Sequence, residues 1–214
     1  MSKVTETDPR LLSALTTEHF VLQSAINATV SEAGARSTLY MMALSSSLVA
    51  VGFLAPSSEA LMPFLSIVLP TLFVLGVFTV IRLIDTALEA QQYLAGIARV
   101  HSHYRALSPE ASRAFAPHLQ RWPETHREPS LGLGRFMALL GTSATMIACT
   151  NNLLAGAGVA LLLAQGLRTE RTPAVLAGLL AFGLLSIAFY AFERWRFDHM
   201  KPRLGQFVPG EIRS

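Results

Sequence analysis

The chain has 214 residues, 51% of them hydrophobic and 14% charged, with a formal net charge of +3. Soluble domains carry about 25% charged residues, so this composition excludes an ordinary water-soluble domain, and the length fits one membrane domain rather than two. The lone Cys149 excludes an internal disulfide and zinc sites built on two or four thiolates.

Four stretches contain no Asp, Glu, Lys or Arg: Ser37–Ser58, Ala60–Ile81, Phe136–Leu167 and Thr172–Phe192. Crossing the hydrocarbon core takes about 20 apolar residues in a helix, because a helix satisfies its own backbone where water is absent. The expected fold is therefore all-α, a four-span transmembrane helical bundle with a cytoplasmic helical stalk. In chain order, residues 10–36 form a cytoplasmic helix, 37–58 span one, 60–82 span two, 83–107 the stalk, 108–135 a cytoplasmic link, 137–166 span three, 172–193 span four and 194–214 a cytoplasmic tail.

The amino segment holds Glu6, Asp8, Glu18 and Glu32 and no early apolar core, which argues against a cleaved secretory signal. From residue 10 onward, Leu15, His19, Leu22, Ile26, Thr29 and Ala33 alternate in steps of four and three, one face of a helix. Glu32 and Arg36 form a helix-surface pair. Arg36 and Tyr40 mark the headgroup layer at the start of span one. Pro56, Ser57 and Ser58 close that span and make a tight hairpin with span two.

Pro63 falls near the start of span two, where proline is tolerated. Pro70 falls inside the span, so it kinks the helix or shifts its start inward. Arg82 and Asp85, three apart at the inner mouth, pair with each other or with headgroups, with a gate as the alternative. Beyond them Leu83, Ala87, Ala90, Leu94, Ile97, His101 and Tyr104 form a heptad seam ending near Leu107. The amino helix has matching spacing, and pairing the two covers both seams. His19, Leu94, Ile97 and His101 are the candidate stalk contacts, with a pH-sensitive contact between the two histidines as one reading.

Ser108-Pro109-Glu110 reads as a helix start, with a short helix expected to about Leu119. Pro117, Pro123 and Pro129 then prevent long regular structure in the rest of the link. Phe115, Leu119 and Trp122, among Arg113, Arg121 and Arg127, either rest on the inner membrane surface or pack on the stalk. Gly132 and Gly134 mark the turn into span three.

Span three repeats small or polar residues at every fourth position: Ala144, Ala148, Asn152, Gly156, Ala160 and Ala164. Such a ridge lets helices approach closely. Asn151 and Asn152 lie mid-span, where amides seek a partner across an interface or line a wet cavity. Candidate packing or pore-lining residues are thus Asn151, Asn152, Gly156, Ala148, Ala160 and Pro70. Thr172-Pro173 opens span four. Tyr190, Phe192, Trp195 and Phe197 beside Arg194 and Arg196 place its end in the headgroup layer.

Basic residues concentrate on the cytoplasmic side of membrane proteins. Fifteen of the 17 fall in the amino segment, the long central link and the tail, against Arg168 and Arg171 in the third link and none in the first. Both termini are therefore expected in the cytoplasm of a cell whose inner membrane holds the chain. This topology also accounts for the basic balance, so no nucleic-acid partner is expected. The excess of Arg over Lys points to a GC-rich bacterial genome.

No nucleophile elbow, Walker loop, dinucleotide fingerprint or His-Glu-x-x-His stretch occurs. His101 and His103 are two apart on a helix and face different ways, so they do not share an ion. A composite site with His118 and His126 is the alternative. No catalytic residue, cofactor or metal site is assigned.

The segment Glu18-His19-Phe20-Val21-Leu22-Gln23 and the later run Glu32-Ala33-Gly34-Ala35-Arg36-Ser37-Thr38-Leu39-Tyr40 resemble the approach to span one in uncharacterised bacterial multi-pass proteins. The layout of the first half is similar to membrane effectors of nucleotide-signalled anti-phage systems, with a second hairpin added. The resemblance implies an effector role and carries over no ligand-contact residue. The functional expectation is a non-enzymatic, self-associating membrane protein, a pore or effector, in contact with lipid and with a cytoplasmic protein at the stalk. In it the span-three ridge packs between copies. The alternatives are a small transporter or channel with substrate between spans two and three near Pro70 and Asn152, and a lipid-modifying enzyme using the His-rich central link.

Overall fold

The computed structural model describes residues 9–55, 58–114, 142–167 and 169–205, and every regular element among them is helical. Helix α1 runs Pro9–Leu54, α2 Ser58–Leu107, α3 Pro109–Ala114, α4 Ser143–Leu161 and α5 Arg171–Gly205, with a π-helical turn at Leu162–Gly166 after α4. Four helices are long and apolar enough to cross a membrane. The expected all-α, four-span fold is therefore the observed one.

Two helices run on past expected segment boundaries. The amino helix and span one are a single 46-residue helix, about 69 Å long. The one candidate breaker, Gly34, keeps helical geometry there, and an interior glycine costs only about 1 kcal/mol. Likewise α5 continues past span four through Trp195 to Gly205.

Helix α2 passes through Pro63 and Pro70 without interruption, so Pro70 does not move the start of the span inward. The Ser108 hydroxyl accepts from the Ala111 amide at 3.0 Å, capping α3 as its sequence suggests. Thr142, in extended backbone, caps α4 by accepting from the Thr145 amide. The expected start of span three at 137, the continuation of α3 to Leu119, and the segments around His118, Trp122, His126, Gly132 and Gly134 lie outside the described residues.

Contacts divide the chain into two units. The first draws on Met1–Ser31, Thr86–Ala138 and Asp198–Ser214. In it the early part of α1 pairs antiparallel with the later part of α2: Thr16 meets Tyr104, His19 meets His101 and Leu22 meets Gly96. Its core is thin, with Leu88, Ala95 and Val100 buried.

The second unit, Glu32–Asp85 and Leu139–Phe197, holds the apolar windows. Helices α2, α4 and α5 alternate in direction there, as cross-contacts fix: Leu69 lies beside Gly158 while Gly76 lies beside Asn151, and Gly156 meets Gly178 while Asn152 meets Ser186; Glu32 of α1 meets Arg82 of α2. Tyr40, Leu44, Leu72, Val80, Leu83, Ile84, Ile147 and Ala148 fill its core. Helix α4 is the most enclosed, 28% of its most apolar window being buried against 6% for α5. Phe53, Phe78, Leu180 and Leu184 face outward. Apolar surface on that scale is of the kind that needs a non-aqueous neighbour.

Candidate functional site: the polar contacts inside the second unit

Asn151 is the centre of the site. Glycine at position 76 makes room for it, since a Cβ there would come within 2.1 Å of the amide oxygen. The Tyr40 hydroxyl donates to Asn151 Oδ1 at 3.3 Å, and Asn151 Nδ2 donates to the Phe73 carbonyl at 3.3 Å. One side chain on α4 thereby ties α1 and α2. Asn152 points elsewhere, its Nδ2 donating to Ser186 Oγ on α5 at 3.3 Å. Buried polar groups in an apolar interior demand partners, and adjacent asparagines meet that demand on different neighbouring helices.

Tyr40 is fully buried, which corrects its expected role as a headgroup anchor. Its hydroxyl finds the interior amide, and its ring fills the core between α1 and α4. The four-residue ridge is used within the chain. Ala144, Ala148, Asn152 and Gly156 are buried, and a Cβ on Gly156 would stand 2.6 Å from the Gly178 carbonyl oxygen. Ala160 lies along the same contact, 3.0 Å from where a Gly178 Cβ would sit. Ridge and α5 thus pack backbone to backbone, and the surface expected between copies is already covered.

Pro70 is exposed and does not join Asn152. Its neighbour Leu69 lies against Gly158, six residues or about 9 Å along α4 from Asn152. Sequence distance hid this offset between the two residues.

A charged layer closes one end of this unit. Glu32 accepts from Arg36 Nε at 2.8 Å and from Arg82 Nε at 2.9 Å. The Arg82 guanidinium, and after it that of Arg36, holds the Glu32 carboxyl below its ordinary range. Asp85 is bridged by Arg196 of α5. Arg82 and Asp85 therefore each reach across to another helix, where the sequence suggested a pair along α2: opposite charges on neighbouring helices lie within direct reach.

Glu193, on α5, is missed by the sequence reading because it stands just beyond the charge-free stretch. It is 1% exposed and accepts from the Thr142 and Thr145 hydroxyls at 3.3 and 3.4 Å. Its position at the start of α4 also sets the carboxyl group beside the positive end of that helix. A lone Glu followed by Arg194 carries no mark of burial; the helical phase shared with Ser186 was the available signal.

In the first unit, His19 and His101 stand ring to ring with centroids 5.4 Å apart, while Leu94 and Ile97 are half-buried along the same seam. His103 instead faces away and bonds the Arg99 carbonyl at 3.0 Å. Among the described residues no three His, Cys, Asp or Glu side chains cluster for a metal ion. Comparison with protein-family models, curated proteins and solved structures gave no match.

Proposed function

We propose that the chain is a non-enzymatic, self-associating protein of the cell membrane, with both termini cytoplasmic, acting as a pore or membrane-perturbing effector between copies. The observation that carries this reading is the filled interior of the four spans. Tyr40, Asn151 and the Phe73 carbonyl occupy it on one side of α4, and Asn152, Ser186 and the glycine contact occupy the other. A path for solute through one copy would have to break these contacts, whereas a path between copies would not. This favours the assembly reading over a single-chain transporter.

The surface for assembly is on α1. Ala35, Thr38, Met42, Ser45, Val49 and Gly52 recur in steps of three and four, and all are exposed. A Cβ on Gly52 would meet nothing. Thr38, Ser45 and Gly52, seven apart on that face, are small enough to let two membrane helices come close, and a twofold pair places the same face on both copies.

The test is cross-linking in native membranes with Cys149→Ser as background. Ser45→Cys should give a dimer, while Leu44→Cys, on the buried face, should not. Purified protein in nanodiscs should contain more than one copy, and Gly52→Leu should reduce both assembly and leak from reconstituted vesicles. A monomer with no cross-link at position 45 would end the proposal.

A further inference from the structure

We propose that His19 and His101 form a binding site for a first-row divalent transition-metal ion, bridging α1 and α2 in the first unit. Three observations support it. The ring centroids are 5.4 Å apart and the ring planes inclined by 34°. Metal–nitrogen bonds of about 2.0–2.1 Å at a tetrahedral angle place two imidazole centres roughly 5 Å apart, so the rings already have the separation of a chelating pair.

The second observation is that His19 Nδ1 is buried and has no hydrogen-bond partner. A buried ring nitrogen without a partner costs free energy, and a ligated ion would remove that cost. The third is the contact between the two helices on either side of the rings. On one side the Thr16 and Tyr104 hydroxyls meet at 3.2 Å. On the other, Leu22 presses so closely on Gly96 that a Cβ there would lie 2.9 Å from it. The histidines are held between these contacts.

Imidazole nitrogen suits Zn2+, Ni2+ and Cu2+ better than Mg2+ or Ca2+. Two protein nitrogens leave further coordination positions to water. An ion bound there clamps α1 to α2, the two helices that also carry spans one and two. This site is independent of the self-association reading, since its residues take no part in the α1 face assigned to a second copy.

The experiment is calorimetric titration of the full chain in nanodiscs with Zn2+. The expected result is one ion per chain, with affinity reduced at least about tenfold in His19→Ala and in His101→Ala, each site having lost one of two ligands. His103→Ala and His199→Ala should bind as wild type does. His19→Gln keeps a polar side chain should the alanine variant fail to fold. In the wild-type protein, Zn2+ should protect His19 and His101 from diethylpyrocarbonate and leave His103 reactive. Absence of saturable binding, unchanged affinity in the His19 and His101 variants, or protection of His103 alone would overturn the proposal.

Discussion

Substituting alanine for Gly156 tests the closest contact in the membrane unit. The added Cβ would stand 2.6 Å from the Gly178 carbonyl oxygen and 3.1 Å from Phe182 Cβ. An ordinary contact begins near 3.4 Å, so α4 and α5 must part by about 0.8 Å. The obstructing atom belongs to the backbone of a helix and cannot rotate away. Overpacking of this kind costs about 1–3 kcal/mol. For a chain of this size 1 kcal/mol shifts the midpoint by about 2–4 °C, giving an expected fall of about 2–12 °C. The Asn152–Ser186 bond, already 3.3 Å long, should be lost as the helices separate. Gly183 supplies the control on α5: a Cβ there meets nothing within 4 Å. Gly183→Ala should leave stability unchanged or raise it by up to about 1 kcal/mol, from helix propensity alone. Thermal unfolding followed by circular dichroism in one detergent reads both variants. Equal midpoints for Gly156→Ala and Gly183→Ala would refute the backbone contact.

The same unit makes other variants informative. In a double-mutant cycle, Tyr40→Phe and Asn151→Ala should show a coupling of about 0.6–1.7 kcal/mol, the range for hydrogen bonds between membrane helices; additive losses would mean that the two side chains do not meet. Glu193→Gln retains an acceptor for Thr142 and Thr145 and should melt close to wild type, whereas Glu193→Leu should be less stable by about 1–3 kcal/mol, because it removes the buried acceptor that both hydroxyls share. Glu32 has its folded pKa lowered from 4.5, so its bridges stabilise the fold above that value and are lost as pH falls through the lower folded pKa. Wild type should therefore lose stability relative to Glu32→Gln only in acid, below about pH 4.5; a difference that closes between pH 5 and 7 would contradict the assignment. Zn2+ should raise the melting temperature of wild type and not of His19→Ala, as binding to the folded state alone requires.

The spans were legible in the sequence because charge exclusion from lipid is a property of composition, and four uncharged windows sufficed to find them. The seam residues Leu15, His19, Leu22, Leu94, Ile97 and His101 were legible through period alone, and all lie at least half-buried. Partner choice was harder. The ridge on span three announced a close approach without saying whether its partner was span four or another copy. Gly178, the matching residue, belongs to a helix rich in equally small neighbours. Arg82 and Asp85 looked like a local pair because spacing along one helix is visible in sequence, while proximity to Glu32 and Arg196 depends on tertiary packing. Tyr40 stood where an interfacial tyrosine would, and only the position of Asn151 turns it inward. The continuity of α1 and of α5 was hidden for a different reason: a change from polar to apolar composition looks like a boundary, yet a helix crosses it at no cost to its backbone bonds.

Topology is the claim on which the rest depends, and cysteine accessibility in intact cells measures it directly. With Cys149 replaced by Ser, single cysteines at Glu59 and Glu170 should react with a membrane-impermeant maleimide from outside, while those at Arg10 and Ser112 should react only after permeabilisation. Labelling of Arg10→Cys or Ser112→Cys in sealed cells, or recovery of the chain in the soluble fraction after carbonate extraction, would contradict a four-span protein with both ends inside.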